Sequence, residues 1–223
     1  GLARGISKRV YCTTRTDNGI TRVEEYSSQS RLPEFLGLMQ YSGYAALGFT
    51  HILLVEGPTE VLVFHEWLRM YGIDHKVVVI PLGGSSMINR DREQEMMEVL
   101  RITSMVFSIV DSERKRVDDP ALERERFVEM CRRIGIKARA TARRCIERYF
   151  TQDAIAAAFP NHEYSALPEY NDAKPPWSKN DNWRIASRMS VGDLANTDVG
   201  EFLTELVASV NGESDKYTPS PTS

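Results

Sequence analysis

No apolar run in this chain approaches the roughly 20 residues that a membrane-spanning helix requires, and its start carries no signal-peptide pattern. An intracellular, cytoplasmic protein without a membrane partner is expected. Cysteine is scarce: Cys12, Cys131 and Cys145 are an odd number without metal-ligand spacing, which fits a reducing compartment rather than a disulfide framework. The histidines, His51, His65, His75 and His162, show no metal spacing either, and are read as structural. An excess of charge is also missing. With a net charge of -3, electrostatics exert no overall pull towards nucleic acid or a membrane, so any anionic partner must be met by a local patch. There is no internal repeat, and the Gly83-Gly84 turn lacks the Gly-Lys-Ser/Thr ending of a Walker A phosphate loop.

What is present is an ordinary globular composition, 42% hydrophobic and 26% charged over 223 residues. That is enough for one large domain or a core with a smaller attachment. The chain begins Gly1-Leu2 without methionine, so a fragment of a longer protein is expected. Residues 1–50 read as a lead-in segment. Within it, 8–15 and 20–26 make a β-hairpin about Asn18-Gly19, a strong turn signal, and 32–47 reads as helical. A lone hairpin is marginal in water, so it is expected to belong to an upstream domain.

From residue 51 strand and helix alternate. Strand 52–56, helix 58–71 and strand 76–82 are followed by a helix opened by Gly83-Gly84 and ending near Arg101. Strand 105–110 comes next, then a helix over 120–134 started by Pro120 and stopped by Gly135, and a weaker strand over 136–141. Val77-Val78-Val79-Ile80 is β-branched and unbroken, as a strand covered on both faces should be. The alternation predicts βαβ units and an α/β domain over residues 51–158 with a parallel central sheet, its last part a helix over 144–158. A C-terminal helical appendage is expected over 159–211, an irregular loop at 160–176 leading to helices near 178–188 and 198–211. Residues 212–223, rich in Ser, Thr and Pro, are expected to be disordered.

Two strand ends carry the chemistry. Strand 52–56 stops on Glu56; Gly57 frees the chain to turn, Pro58 suits the first position of a helix, and Glu60 falls in its first turn. The helix dipole alone is enough to account for Glu60. Glu56 is different, because an ionised group at the rim of a dry sheet needs a partner. Strand 105–110 ends in Asp111-Ser112-Glu113, whose i, i+2 spacing points both acids one way from an extended chain. Arg114, Lys115 and Arg116 follow and offer the alternative of a neutralised, solvated loop. Parallel strands place such ends side by side in the ligand crevice of α/β proteins. Four acids there would repel one another unless a cation sat between them, and oxygen-only ligands select Mg²⁺, Mn²⁺ or Ca²⁺ over zinc.

These residues resemble a family. Leu54-Val55-Glu56-Gly57-Pro58-Thr59-Glu60, the Gly83-Gly84 pair and an apolar strand ending Asp111-Ser112-Glu113 look like the Rossmann-like Toprim fold of type IA and type II topoisomerases, bacterial primases and certain nucleases. The wording is most similar to the OLD (overcoming lysogenization defect) nucleases. It is specific over 51–113 and diffuse elsewhere, and Glu113 stands where many Toprim proteins have Asp. The resemblance implies a metal-dependent DNA endonuclease with two divalent ions per site, Mg²⁺ or Mn²⁺ with Ca²⁺ possible. It also implies an upstream ABC-type ATPase domain in the same polypeptide. In that family a further acid and a lysine come from beyond the sheet. Ile146-Glu147-Arg148-Tyr149-Phe150 matches the acid's pattern, and Lys179, ahead of the helix at 182–188, fits the lysine better than Lys174. The implied metal ligands are Glu56, Glu60, Asp111, Glu113 and Glu147, with Glu56 and Lys179 catalytic. Asp111 and Glu113 would share one ion and Glu56 and Glu60 the other, with Glu147 a candidate addition to the second. A solvated Glu147 and a plain surface Lys179 stay open as alternatives.

Residues 132–148 hold Arg132, Arg133, Lys137, Arg139, Arg143, Arg144 and Arg148, with Glu147 as their one acid. They read either as a solvated face or as a track for a DNA backbone. Trp177 and Trp183 either stack on bases or, the favoured reading, pack the C-terminal helices. Two other functional classes remain. One is a receiver-like metal-binding signalling module, disfavoured by the acid on the helix turn and the Asp-x-Glu spacing. The other is a non-catalytic Toprim assembly module, disfavoured by four intact acids.

Overall fold

The structure, a computed structural model, describes residues 11–15, 21–25, 48–84 and 93–214. Strands β1 (Tyr11–Arg15) and β2 (Thr21–Glu25) pair antiparallel, with Arg15 opposite Thr21. This is the expected hairpin with shorter arms; its Asn18-Gly19 turn and the helix expected at 32–47 lie outside the described residues.

The core is a four-stranded, all-parallel sheet with order β4-β3-β5-β6. Its strands are β3 (His51–Val55), β4 (Val77–Pro81), β5 (Val106–Val110) and β6 (Lys137–Ala140). Helices α1 (Pro58–Met70), α2 (Glu93–Leu100) and α3 (Leu122–Arg133) make the crossovers. Alternate side chains of β3, β4 and β5 enter two separate cores, while β6 gives Ala138 and Ala140 to the second. Leu53, Val55, Phe107 and Ile109 pack with Phe64 and Trp67 of α1 and with the C-terminal helices, whereas Ile52, Leu54, Val106 and Val110 pack with Met96 of α2 and Phe127 of α3. Both faces of the sheet are therefore dry, which is why these strands read as continuous apolar runs. From β3 the chain steps out to β4, then crosses back to β5 and on to β6. The direction reverses between β3 and β5, so their carboxyl ends flank the crevice of a doubly wound sheet.

The structure departs from the sequence reading where local polar groups override periodicity. Helix α3 begins at Leu122, not Pro120: Asp119 accepts the backbone N–H groups of Lys115 and Ala121 at 3.1 Å each, and Ala121 is left-handed (φ 48°). The loop closes on itself and leaves the proline outside. The helix expected over 144–158 is broken into a 3₁₀ turn, Ile146–Tyr149, and α4, Gln152–Ala158. Thr151 forces the break by capping α4, its hydroxyl accepting the N–H of Ala154. Beyond it lie a 3₁₀ turn, Lys179–Asp181, and α5 (Asn182–Ala186), α6 (Val191–Leu194) and α7 (Asp198–Ser214). Helix α6 was not expected from periodicity; a capping box of Ser190 and Asp193 starts it. Helix α7 continues to Ser214, into the stretch expected to be disordered.

Gly200 lets α7 lie against the end of α6, because a Cβ there would come within 1.9 Å of the Leu194 carbonyl oxygen. Gly200→Ala is expected to destabilise the fold by about 2 kcal/mol through this overpacking, read as a lower urea midpoint with an unchanged m-value. His51 ties β3 to α7: Nδ1 lies 2.7 Å from the Thr50 hydroxyl and Nε2 3.0 Å from that of Ser209. Burial, with Lys137 nearby, pushes its pKa from 6.5 down to about 4. Between those values the unfolded chain binds a proton that the folded one does not, so this residue's contribution is complete above pH 6.5 and lost as the pH falls towards 4. His51→Asn should flatten that part of the urea-midpoint profile. An unchanged profile would relieve His51 of the role.

Candidate metal centre

Both crevice-flanking strands end on acids. Glu56 directly follows β3, and Gly57 and Pro58 turn the chain into α1. Gly57 has an extended backbone, so its lack of a side chain matters sterically: a Cβ would sit 2.9 Å from Oε2 of Glu60. Glycine thus lets Glu60 lie over the turn, buried, with the Thr59 hydroxyl donating to its Oε1 at 3.0 Å. Arg124 reaches from α3 to Oε1 of Glu56 at 3.3 Å, while Oε2 is buried with no hydrogen-bond partner. Burial raises the Glu56 carboxyl from 4.5 to about 7 against the pull of Arg124, with Glu60 and Glu113 adding to the rise and Lys179 opposing it.

Asp111 follows β5 directly and is buried, its Oδ1 accepting the backbone N–H of Ile146 at 3.0 Å. Burial first, then the charges of Glu60, Glu147 and Glu56, raise its carboxyl well above the ordinary range. Ser112 stitches the strand end to the next segment, its N–H donating to the Thr141 hydroxyl and its own hydroxyl to the Arg143 carbonyl, both at 2.9 Å. Glu113 corrects the sequence reading. Its backbone is left-handed (φ 58°), not extended, so the i, i+2 premise fails. Its N–H and carboxylate both go to Arg144, each at 2.9 Å. The basic run after it does not neutralise these acids: Arg114 pairs with Glu125 and Arg116 with Asp118.

Glu147 sits in the 3₁₀ turn with no exposed surface. Its Oε1 receives Lys179 Nζ at 2.9 Å and Asn182 Nδ2 at 3.1 Å, and Asn182 is held in turn by the Trp177 indole N–H at 2.9 Å. Burial works to raise the Glu147 carboxyl, but Lys179 and the neighbouring Cys145 thiol hold it below the ordinary value. Lys179 answers with a raised pKa, burial notwithstanding, because Glu147 and Asp111 stabilise its charge. Lys174, the other candidate, is exposed in the loop. Glu147 is thus placed beside Asp111 and Lys179, neither solvated nor grouped with Glu56 and Glu60 alone.

The cations of the basic stretch at 132–148 are engaged within the chain. Arg139 pairs with Glu201 and Glu205, Arg133 with Glu93, Arg143 with Glu169, and Arg144 with Glu113 and Asp172. Arg132 and Arg148 donate to backbone carbonyls, and Lys137 lies over the Phe107 ring. Cations adjacent in sequence go to separate partners in the fold, many of them exposed acids of the same chain. Trp177 is buried among Phe150, Phe159 and Tyr164 and packs the helices as expected.

Three residues of the centre escaped the sequence reading: Arg124, Asn182 and Cys145. The first two come from helices far along the chain and carry no local signal. Cys145 stands two residues before Glu147, a spacing that placed a thiol beside an acid in plain view.

The fold and the site together define an α/β protein with a parallel sheet and a buried cluster of acids, one lysine among them, at the strand ends. No protein-family model, no curated protein and no solved structure matches the chain. Among the described residues no helix is long and apolar enough to cross a membrane.

Proposed function

We propose that this chain is a Toprim-type, divalent-metal-dependent nuclease that cleaves DNA phosphodiesters, with DNA as its partner and an ABC-type ATPase upstream in the full polypeptide, as in OLD nucleases. The observation that carries the reading is convergence. Glu56, Glu60, Asp111 and Glu147 come from three segments separated by long crossovers, yet Glu60 lies over the turn that follows Glu56, Asp111 and Glu147 bring carboxylate oxygens within 4.8 Å of each other, and Lys179 stands 2.9 Å from Glu147. Structural carboxylates are normally buried against cations or donors. Here one oxygen each of Glu56 and Glu147 is buried without a hydrogen bond, although Arg124 and Lys179 meet the other oxygen, and a metal ion fits that place.

Glu56 and Glu60 would hold one Mg²⁺ or Mn²⁺ ion, and Asp111 with Glu147 the other; Ca²⁺ fits the same oxygen ligands. Glu113, turned to Arg144, is left a supporting place at the rim. Bound ions would supply charge neutralisation at the phosphate and a water of lowered pKa. Glu56, whose carboxyl is raised to about 7 in the metal-free fold, would be held as the carboxylate by a bound ion and would act as its ligand beside the reacting water. Lys179 uses one donor on Glu147 and keeps others to stabilise negative charge developing on a phosphate oxygen.

The test is plasmid nicking with Mg²⁺, Mn²⁺ or Ca²⁺, against EDTA. Nicked and linear products with Mg²⁺ or Mn²⁺, and none in EDTA, are expected. Metal-induced thermal stabilisation without nicking in any ion would turn the reading to a receiver-like or assembly module.

A further inference from the structure

We propose that Asp111, Cys145 and Glu147 form a binding site for a thiophilic divalent cation of the Zn²⁺ or Cd²⁺ class. One carboxylate oxygen of Asp111, Sγ of Cys145 and one carboxylate oxygen of Glu147 lie within 4.8 Å of one another, all three residues buried. Bonds of about 2.0–2.3 Å to oxygen and sulfur seat these atoms on one ion after a closure of about 1 Å. A second observation concerns one of these three residues. Glu147 is wholly inaccessible, its Oε1 is taken by Lys179 and Asn182, and its Oε2 accepts no hydrogen bond, with the Cys145 thiol its neighbour. A buried acceptor left empty costs free energy that a cation there would return.

The three ligands are also held in position. Ile146, between Cys145 and Glu147, donates its N–H to Asp111, so the turn carrying two ligands is fastened to the third. The Trp177–Asn182 pair fixes the Glu147 carboxylate from behind, the kind of outer contact that orients metal ligands. The donor set decides the class of ion. Sulfur adds little for Mg²⁺ or Ca²⁺, whereas zinc and its congeners take thiolate and carboxylate together. On binding, the Cys145 S–H bond breaks, the electron pair stays on sulfur and forms the bond to the ion, and the proton leaves to solvent. Two carboxylates and a thiolate are then balanced by the dication and the Lys179 ammonium. The site shares Asp111 and Glu147 with the proposed hard-ion centre. The inference therefore deepens that reading, and rests on it only in the consequence that a thiophilic ion displaces Mg²⁺.

Co²⁺ reports the site directly through its near-ultraviolet sulfur-to-metal charge-transfer absorption. Titration of the full chain with Co²⁺ should give that band, Zn²⁺ should abolish it at stoichiometric amounts, and Mg²⁺ should not. The band should persist in Cys12→Ser and Cys131→Ala and vanish in Cys145→Ser. Co²⁺ affinity, followed by calorimetry, should weaken at least about 10-fold in Cys145→Ser and in Asp111→Asn. A wild-type protein without the band overturns the proposal even if every variant misfolds, and so does a band that survives Cys145→Ser. Mg²⁺-dependent nicking by the same preparation keeps the two readings apart. Nicking with no sulfur band sinks the thiophilic site alone; a band with no nicking in any ion sinks the nuclease reading and leaves this site standing.

Discussion

Asp111→Asn is expected to abolish metal-dependent nicking and, in the same protein, to raise the melting temperature measured in EDTA. The two effects have one cause. Asp111 is buried beside Glu60, Glu147 and Glu56, whose charges, after burial itself, raise its carboxyl. A carboxyl raised in this way costs the metal-free fold stability at pH 8, where the unfolded chain carries it ionised without penalty. Asparagine removes that charge while its amide oxygen can still accept the Ile146 N–H. A gain of about 1 kcal/mol would appear as roughly 2–4 °C. Loss of a ligand should cut nicking at least about 100-fold and remove the stabilisation that Mg²⁺ gives by binding the folded form. The pH dependence has a definite sign. A carboxyl whose folded pKa is raised takes up a proton in the fold before the unfolded chain does. For Glu56 that window runs from about 7 down to 4.5, so metal-free wild type gains stability as the pH falls through it. Asp111 acts in the same direction, and the variant's advantage should therefore shrink in acid. Differential scanning fluorimetry with EDTA or Mg²⁺ at pH 8 and pH 5.5 measures all of this. A variant no more stable than wild type in EDTA at pH 8 would show that Asp111 is not crowded by like charge.

How much of this was legible in the chain depends on how local each signal was. The sheet was legible because burial on both faces leaves strands such as Val77-Val78-Val79-Ile80 without polar breaks. Glu56 and Asp111 were legible because each is the first acid after an apolar strand, and a parallel sheet aligns such ends. The breaks were not. Thr151 ends one helix and starts another, and Asp119 ties off the loop before α3; both act through single side-chain hydrogen bonds that periodicity does not register. Glu113 was misread for a related reason, since spacing fixes direction only if the backbone is extended. The individual partners of the basic stretch were not legible either, because like charges adjacent in sequence say nothing of which acids meet them. In the fold Arg139 faces α7 and Arg144 faces Glu113 and Asp172. Partners that arrive from fifty residues away cannot be read from a window of seventeen.

Lys179→Met should be the most damaging single change at the site, costing about 3 kcal/mol and all detectable nicking. Glu147 has no exposed surface, and Lys179 is the cation beside its carboxylate. Removing one partner of such a pair leaves a buried charge uncompensated, which typically costs 3–5 kcal/mol; Lys179 is half-exposed, so water entering the space offsets part of that. With the ammonium gone, burial dominates, and the Glu147 carboxyl moves from below its ordinary value to above it. The variant's deficit should then be largest at alkaline pH and shrink as the pH falls and Glu147 takes up a proton. The double variant Lys179→Met/Glu147→Gln carries no stranded charge, and its amide can still accept from Asn182. It should recover much of the lost stability, giving a coupling free energy of about 2 kcal/mol in a double-mutant cycle, without recovering nicking. Additive stabilities would mean that the 2.9 Å contact between Lys179 and Glu147 does not operate in solution. Wild-type nicking by Lys179→Met would remove the lysine from the catalytic centre, whatever its effect on the fold.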